Sequence, residues 1–357
     1  MITTQKATPG IHAPSLLWCT WQLLRGMNPR HLTIPDADLR GKWVLLTGGN
    51  SGIGREASLQ FAKWGANIIL GCRQPPPHEM HPDVAVEEYK AAALAAGHEG
   101  TVIQWWEVDM GSLESVEAFA KRWLAKECAL DILANNAGLG GYVGDTKHTI
   151  DGFELVHQVN FLSHVYLTMW LLPSLSKARQ PRIICTTSNM QYLGTFDLTN
   201  TTRGKGAYPN NKLYFQTWLT ELQDRMSKHA SCEHVVIQGV HPGFVASNIW
   251  NLPSNNVKWS ERIAGRLSLL FGWFGIDPQQ GSLSITHAAT AAEAGSNLPE
   301  LLDGMKLGRG GGRFFNRIWD EVPMPQTKDP ECRQMIWDLV SRELKLEEKG
   351  LLNDLGT

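Results

Sequence analysis

The chain predicts an α/β fold, a single doubly wound parallel sheet covered by helices on both faces. Three observations predict it. From residue 42 onward, short apolar runs of strand length alternate with helix-length segments, an order that builds a parallel sheet. The first run, Trp43-Val44-Leu45-Leu46, ends in the glycine-rich turn from Thr47 to Gly54 and opens a helix-like segment from Glu56 to Trp64. Polar residues recur at the ends of later runs, where such sheets hold their ligands. No internal repeat or long linker divides the 357 residues. The expected organisation is therefore an N-terminal extension (1–40), one central domain (41–310) and a C-terminal extension (311–357) that packs on it.

The elements follow in order. Asn67 to Arg73 is a second strand, followed by a proline-rich insertion at 74–83 and an alanine-rich helix near 84–96. The insertion reads as a surface loop that leaves the site untouched. Thr101 to Asp109 is a third strand; Ser112 caps a helix through Lys126, with Ser115 at the third helical position. Leu130 to Ala134 is a fourth strand, Asp151 to Leu175 a long apolar helix, and Arg182 to Thr187 a fifth strand. Tyr208 to Lys228 is helical and His234 to Val240 a sixth strand.

Composition excludes several functions. A formal net charge of −2 gives no electrostatic case for nucleic acid. The six cysteines show no metal-ligand spacing, so no metal site is expected. Cys72 and Cys185 read as buried thiols, which fits a reducing, cytoplasmic compartment better than a disulfide framework. His78 and His81 lie among prolines and read as loop residues. Asn200-Thr201-Thr202 is a glycosylation sequon without a secretory signal to give it meaning. The apolar stretch at 11–24 is too short to span a bilayer. It reads as a helix packed on the domain or on a partner subunit in a homodimer, with weak peripheral membrane contact as the alternative.

The chemistry lies at the strand ends. A glycine-rich turn between strand and helix lets the backbone approach a pyrophosphate, and the helix N-terminus offers free N–H groups. Gly48, Asn50, Ser51, Gly52, Ile53 and Gly54 are thus candidate dinucleotide contacts. Arg73 ends the second strand, where a guanidinium suits the 2′-phosphate of NADP(H) and an acid would suit NAD(H). Asp109, after the third strand, is placed for the adenine amino group. Asn135, Ala137 and Gly138 follow the fourth, where small residues let a cofactor pass. Ser188 ends the fifth. Tyr208 and Lys212, four residues apart, share a helical face. There an ammonium would lower the phenol pKa and make it a general acid or base.

Together these residues resemble the short-chain dehydrogenase/reductase superfamily, from about residue 40 to about 295. The resemblance rests on the glycine-rich turn, Asp109, Asn135-Asn-Ala-Gly138, Asn160, Ser188, Tyr208-xxx-Lys212 and His241-Pro-Gly-Phe-Val-Ala-Ser247. Gly71-Cys-Arg73, Thr149 to Glu154, Val159 to His164 and Pro278-Gln-Gln-Gly281 resemble its retinol-dehydrogenase-like branch. Ser163, Asn211 and Thr187 depart mildly from that branch, with Asn211 in place of the common Ser before Lys212. The resemblance implies a Rossmann-type fold and a nicotinamide oxidoreductase. Tyr208 would exchange a proton with the substrate oxygen, Lys212 would hold the nicotinamide ribose, and Ser188 would stabilise charge on that oxygen. Asn160 would steady a water linking Lys212 to solvent. Met110 would lie beside Asp109 on the cofactor, and Pro242, Gly243, Val245 and Ser247 would border the nicotinamide. It further implies a substrate lid at 248–276, whose aromatic and aliphatic residues suggest a small but bulky hydrophobic ketone, aldehyde or alcohol, or else bury against the domain or a dimer partner. The branch includes ketoreductases of secondary metabolism. The competing reading is an NADP-binding protein with a non-redox or scaffolding role. His157 and His164 read as core histidines, and His241 as part of a backbone turn.

Overall fold

A computed structural model describes residues 14–76, 80–140, 147–198, 207–245, 275–298 and 308–355. Its eight strands are β1 (Trp43–Thr47), β2 (Asn67–Cys72), β3 (Ile103–Glu107), β4 (Ile132–Asn135), β5 (Arg182–Thr186), β6 (Val236–His241), β7 (Phe314–Asn316) and β8 (Trp319–Glu321). They form one sheet in the order β3-β2-β1-β4-β5-β6-β7-β8, parallel except for β8, which runs antiparallel to β7. The order reverses between β1 and β4, and the crevice beyond their carboxyl ends is the ligand position of such sheets.

Eight helices accompany the sheet among the described residues: α1 (Leu16–Gly26), α2 (Gly52–Lys63), α3 (Pro82–Ala95), α4 (Leu113–Leu124), α5, α6 (Ala207–Met226), α7 (Pro278–Thr290) and α8 (Pro330–Glu343). Helix α5 is continuous through Leu155–His157, a π-helical stretch Gln158–Leu162, and Ser163–Leu175. Strand β1 shows why its run is wholly apolar. Val44 and Leu46 pack into one core with residues of α2, α3 and α7, while Leu45 packs into the other with residues of α4, α5, α6 and α8. With both faces covered, neither set of alternate side chains meets water. Ser112 caps α4 by accepting from Ser115 N–H at 3.2 Å, as its sequence predicts.

Four expectations change. Helix α5 starts at Leu155, not Asp151: Gly152 takes φ +84 in a tight turn, and Glu154 caps the helix by accepting from the N–H groups of Val156 and His157. The C-terminal region begins as part of the sheet, because Phe314–Asn316 pairs with β6. The expected boundary at 310 is therefore not a boundary of the fold; a three-residue strand is too short to show alternation.

Nor is the proline-rich insertion a detached loop. His81 caps α3, Pro82 occupies its first turn, and the His81 ring meets Trp105 edge-on at 4.9 Å. Asn50 of the glycine-rich turn donates to the Met80 carbonyl at 3.3 Å. Finally, α1 is both packed and open. Cys19, Gln22 and Gly26 are buried, while Leu16, Leu17, Trp21 and Leu24 are exposed. No helix among the described residues is long and apolar enough to cross a membrane.

Candidate active site

The glycine-rich turn is shaped to receive a phosphate group. Gly48 sits at φ +68 and Gly52 at φ +55, conformations that L side chains rarely adopt. At Gly54 a Cβ would lie 2.2 Å from the Gly48 carbonyl oxygen and 2.4 Å from Asn136 Nδ2, so no side chain fits. At Gly52 an added Cβ would meet open space. Ser51 makes no side-chain capping bond to α2. The first N–H groups of a 12-residue helix are thereby left to an anion, with the helix dipole favouring it. These features fit a dinucleotide pyrophosphate.

Residues not singled out in the sequence hold this turn. Asn136 donates to the Thr47 and Gly48 carbonyls at 3.0 and 3.3 Å, and the Tyr89 hydroxyl donates to the Gly49 carbonyl at 2.7 Å. Tyr89 is wholly buried on α3, reached from the insertion. Asn136 lies inside a motif the sequence displays; nothing local marks Tyr89. Ile53 meets α7 near Gly281, where a Cβ would lie 2.9 Å from Ile53 Cγ2 and 2.6 Å from Val245 Cγ2. Small residues there let α7 close on the cofactor end.

Along the sheet, Arg73 is exposed immediately after β2. Asp109 is exposed after β3, its carboxylate accepting from Gly111 N–H at 2.8 Å, and Met110 is buried beside it. Asn135 corrects an expectation. It is fully buried and donates to Thr168 Oγ1 at 2.8 Å, so its side chain serves the core, not the cleft. It ends β4 on the face turned toward α5. Ala137 and Gly138 follow, partly open. Beyond β6, Gly243 holds φ +89 after Pro242, and Val245 bridges to Ile276. Ser247 and residues 248–274 of the expected lid lie outside the described residues, as do Asn200-Thr201-Thr202 and His78.

Ser188, two residues beyond β5, comes together with Tyr208 and Lys212 of α6. Ser188 hydrogen-bonds the Tyr208 hydroxyl. Lys212 Nζ donates to the Thr186 carbonyl at 2.7 Å and lies 5.3 Å from the centre of the Tyr208 ring. All three side chains are buried. Asn160, in the π-helical stretch, is locked to one residue: Oδ1 accepts from Leu139 N–H at 2.8 Å and Nδ2 donates to the Leu139 carbonyl at 2.7 Å.

Burial dominates the electrostatics of this cluster. Burial pushes Tyr208 up to about 12, against a smaller lowering from the Ser188 bond. Burial also brings Lys212 down to about 8. The lysine charge, itself desolvated and held by Thr186, does not bring the phenol below its ordinary value. Both directions favour the neutral form of each group: a phenol that keeps its proton and an ammonium that gives its proton up more readily than usual.

The histidines behave as core residues. His164 bonds the Ala137 carbonyl through Nε2 at 2.7 Å, stacks on Phe215, and is driven down to about 4 by burial. His241 is buried near Gly26, and burial drives it down to about 3, which leaves it neutral and no proton carrier.

Comparison with known proteins gives the family. Residues 42–256 match the short chain dehydrogenase family. Retinol dehydrogenase 13 of Mus musculus is 29% identical over 320 residues, covering 87% of this chain and 85% of its own. Retinol dehydrogenase 11 of Homo sapiens is 30% identical over 278 residues, covering 77% and 81%. The WW domain-containing oxidoreductase of Homo sapiens is 29% identical, covering 85% of this chain and 68% of its own. Among solved structures, a 7 alpha-hydroxysteroid dehydrogenase complexed with NADH aligns with TM-score 0.55 at 17% identity over 80% of this chain and 96% of that one. A short chain dehydrogenase from Shigella flexneri 2a str. 301 complexed with NADP aligns with TM-score 0.54 at 19% identity over 79% and 98%. Those two show the fold. The chain therefore belongs to the short-chain dehydrogenases, an oxidoreductase of the retinol-dehydrogenase-like branch that binds a nicotinamide cofactor.

Proposed function

We propose that the protein is an NADP(H)-dependent reductase that interconverts a bulky hydrophobic ketone or aldehyde and its alcohol. The observation that carries this reading is the convergence of Ser188, Tyr208 and Lys212 beyond β5, beside the phosphate cradle at the β1–β4 crevice. Gly48, Asn50, Ser51, Gly52, Ile53 and Gly54 would hold the pyrophosphate. Arg73 would pair with the 2′-phosphate, and Asp109 and Met110 would flank the adenine. Ala137, Gly138, Pro242, Gly243, Val245 and Ser247 would line the nicotinamide half. A nicotinamide held there would supply the hydride for the carbonyl carbon.

The residues of this chain do the rest. Ser188 and Tyr208 donate hydrogen bonds to the carbonyl oxygen, which stabilises the charge that develops there. Tyr208 then delivers its proton to that oxygen. The Lys212 ammonium stabilises the phenolate left behind and holds the ribose. Asn160, locked to Leu139, fixes the helix that faces Lys212. The relatives named retinol dehydrogenases support an apolar substrate, as do the aromatic residues of 248–276. A role in secondary metabolism is one setting for such a substrate. The exposed Leu17, Trp21 and Leu24 of α1 would carry a weak peripheral membrane contact of a cytoplasmic enzyme.

The test is oxidation of the reduced cofactor, followed by its absorbance, with a panel of bulky ketones and aldehydes, using NADPH and NADH in parallel. Turnover with at least one apolar carbonyl and preference for NADPH are expected. Tight NADP(H) binding with no turnover on any carbonyl or alcohol would favour a non-redox or scaffolding role.

A further inference from the structure

His157 differs from the other buried histidines of the site. Its side chain is fully buried, with Nδ1 2.6 Å from Asn211 Oδ1 and Nε2 3.1 Å from a Glu343 carboxylate oxygen. With the Asn211 amide oxygen and the Glu343 carboxylate both facing the ring as acceptors, the geometry suits a ring that donates from both nitrogens, as an imidazolium does. Three elements meet on it. Asn211 comes from α6, Glu343 from α8, and Glu154 from the cap of its own helix. Tyr214 of α6 also faces Glu343. Burial opposes the charge; the bond and charge of Glu343, then the Asn211 bond and the Glu154 charge, overcome it and hold the ring above its ordinary 6.5.

The neighbours give this ion pair its meaning. Asn211 directly precedes Lys212, and it stands where the branch commonly has Ser. Three residues after His157 comes Asn160, and the helix turns π-helical at Gln158, immediately beyond the histidine. The His157–Asn211 bond therefore joins the helix of Asn160 to the helix of Tyr208 and Lys212. A neutral imidazole has one N–H and can serve only one of its two acceptors. Losing the proton would turn a ring lone pair onto Asn211 Oδ1 and drive its amide to flip. Asn211 Nδ2, buried and without a hydrogen-bond partner, would then be the donor.

We propose that the His157 imidazolium, clamped between Asn211 and Glu343, is a positioning residue that sets the register of the Asn160 helix against the Tyr208–Lys212 helix. It brings the C-terminal helix α8 into the frame around the site. The proposal rests on the reading of Asn160, Tyr208 and Lys212 as the catalytic set.

The full-length protein tests it in two ways. In protein labelled with ¹⁵N-histidine, the His157 resonances should show both ring nitrogens protonated at about pH 7. Glu343→Gln keeps an acceptor and the volume but removes the charge. It should lower kcat about tenfold at slightly alkaline pH, the worth of one charge-assisted hydrogen bond, with KM nearly constant. Its alkaline limb should fall at lower pH than that of the wild type. Glu343→Asp should restore the wild-type profile. A neutral His157 ring in the wild type, or superimposable pH profiles for wild type and Glu343→Gln, would overturn the proposal. If Glu343→Gln does not fold, the wild-type resonances and the Glu343→Asp profile decide. Lys212→Ala serves as reference: an active Lys212→Ala would sink the catalytic assignment, while the ¹⁵N spectrum would still report the clamp.

Discussion

The cofactor cradle and the catalytic cluster are built on opposite principles. The cradle is made by leaving atoms out. Gly48, Gly52 and Gly54 give backbone turns and room, within one stretch of chain. The cluster is made by adding functional groups and burying them. Ser188, Tyr208 and Lys212 come from just beyond a strand and from a helix, separated by a long connection, and burial sets their protonation. The first should therefore break when atoms are added and the second when atoms are removed, with different kinetic signatures.

Tyr208→Phe tests the cluster most severely. It removes one hydroxyl and should lower turnover by about two to four orders of magnitude, the usual weight of general acid–base catalysis. NADPH titration by fluorescence should show near-normal affinity. Normal turnover in a folded, cofactor-loaded variant would end the assignment of Tyr208 as proton donor.

Gly54→Ala is the mirror experiment. Its Cβ would collide with the Gly48 carbonyl at 2.2 Å. The strain, of about 1–3 kcal/mol, should weaken cofactor binding by roughly ten- to a hundredfold. Turnover at saturating cofactor should largely survive. An equal loss of kcat would show that cradle and cluster are not separable.

The pH profile sharpens the comparison, because the cluster titrates and the glycine cradle does not. Lys212 is held down to about 8 by burial, and its charged form is the one that supports Tyr208. Carbonyl reduction should therefore decline as pH rises through about 8, well before Tyr208 itself ionises near about 12. Initial rates across that range, at saturating cofactor, measure this. A flat profile to pH 10 would place the Lys212 proton outside the reaction.

Arg73→Ala should have a smaller, selective effect. Loss of a charge-assisted contact should weaken NADP(H) by about tenfold and leave NAD(H) nearly unchanged. Parallel titrations decide, and equal losses for both would remove the 2′-phosphate role. Smallest of all should be deletion of Gln74 to Pro76, expected to change cofactor affinity by less than about threefold, as for surface changes in general. Extending the deletion through Pro82 should cost more. It takes away the Met80 carbonyl that holds Asn50, the His81 cap and the start of the helix that carries Tyr89.

Local chemistry was enough to read the cradle, the six central strands, the Ser112 cap and the buried thiols Cys72 and Cys185. In each case the signal lies within a few residues: a glycine that must take positive φ, an apolar run covered on both faces, a serine before a helix. Tertiary structure decided the rest. Asn135 faces the core because strand geometry assigns alternate side chains to opposite faces, and its neighbour Asn136 holds the glycine turn instead. Phe314–Asn316 becomes a strand only because β6 offers it a free edge. Burial pushes the Tyr208 phenol up against a smaller lowering from the Ser188 bond, and brings Lys212 down. Sequence spacing can set two groups on one helical face, but the cost of removing them from water depends on the whole surrounding fold, and no local motif encodes it.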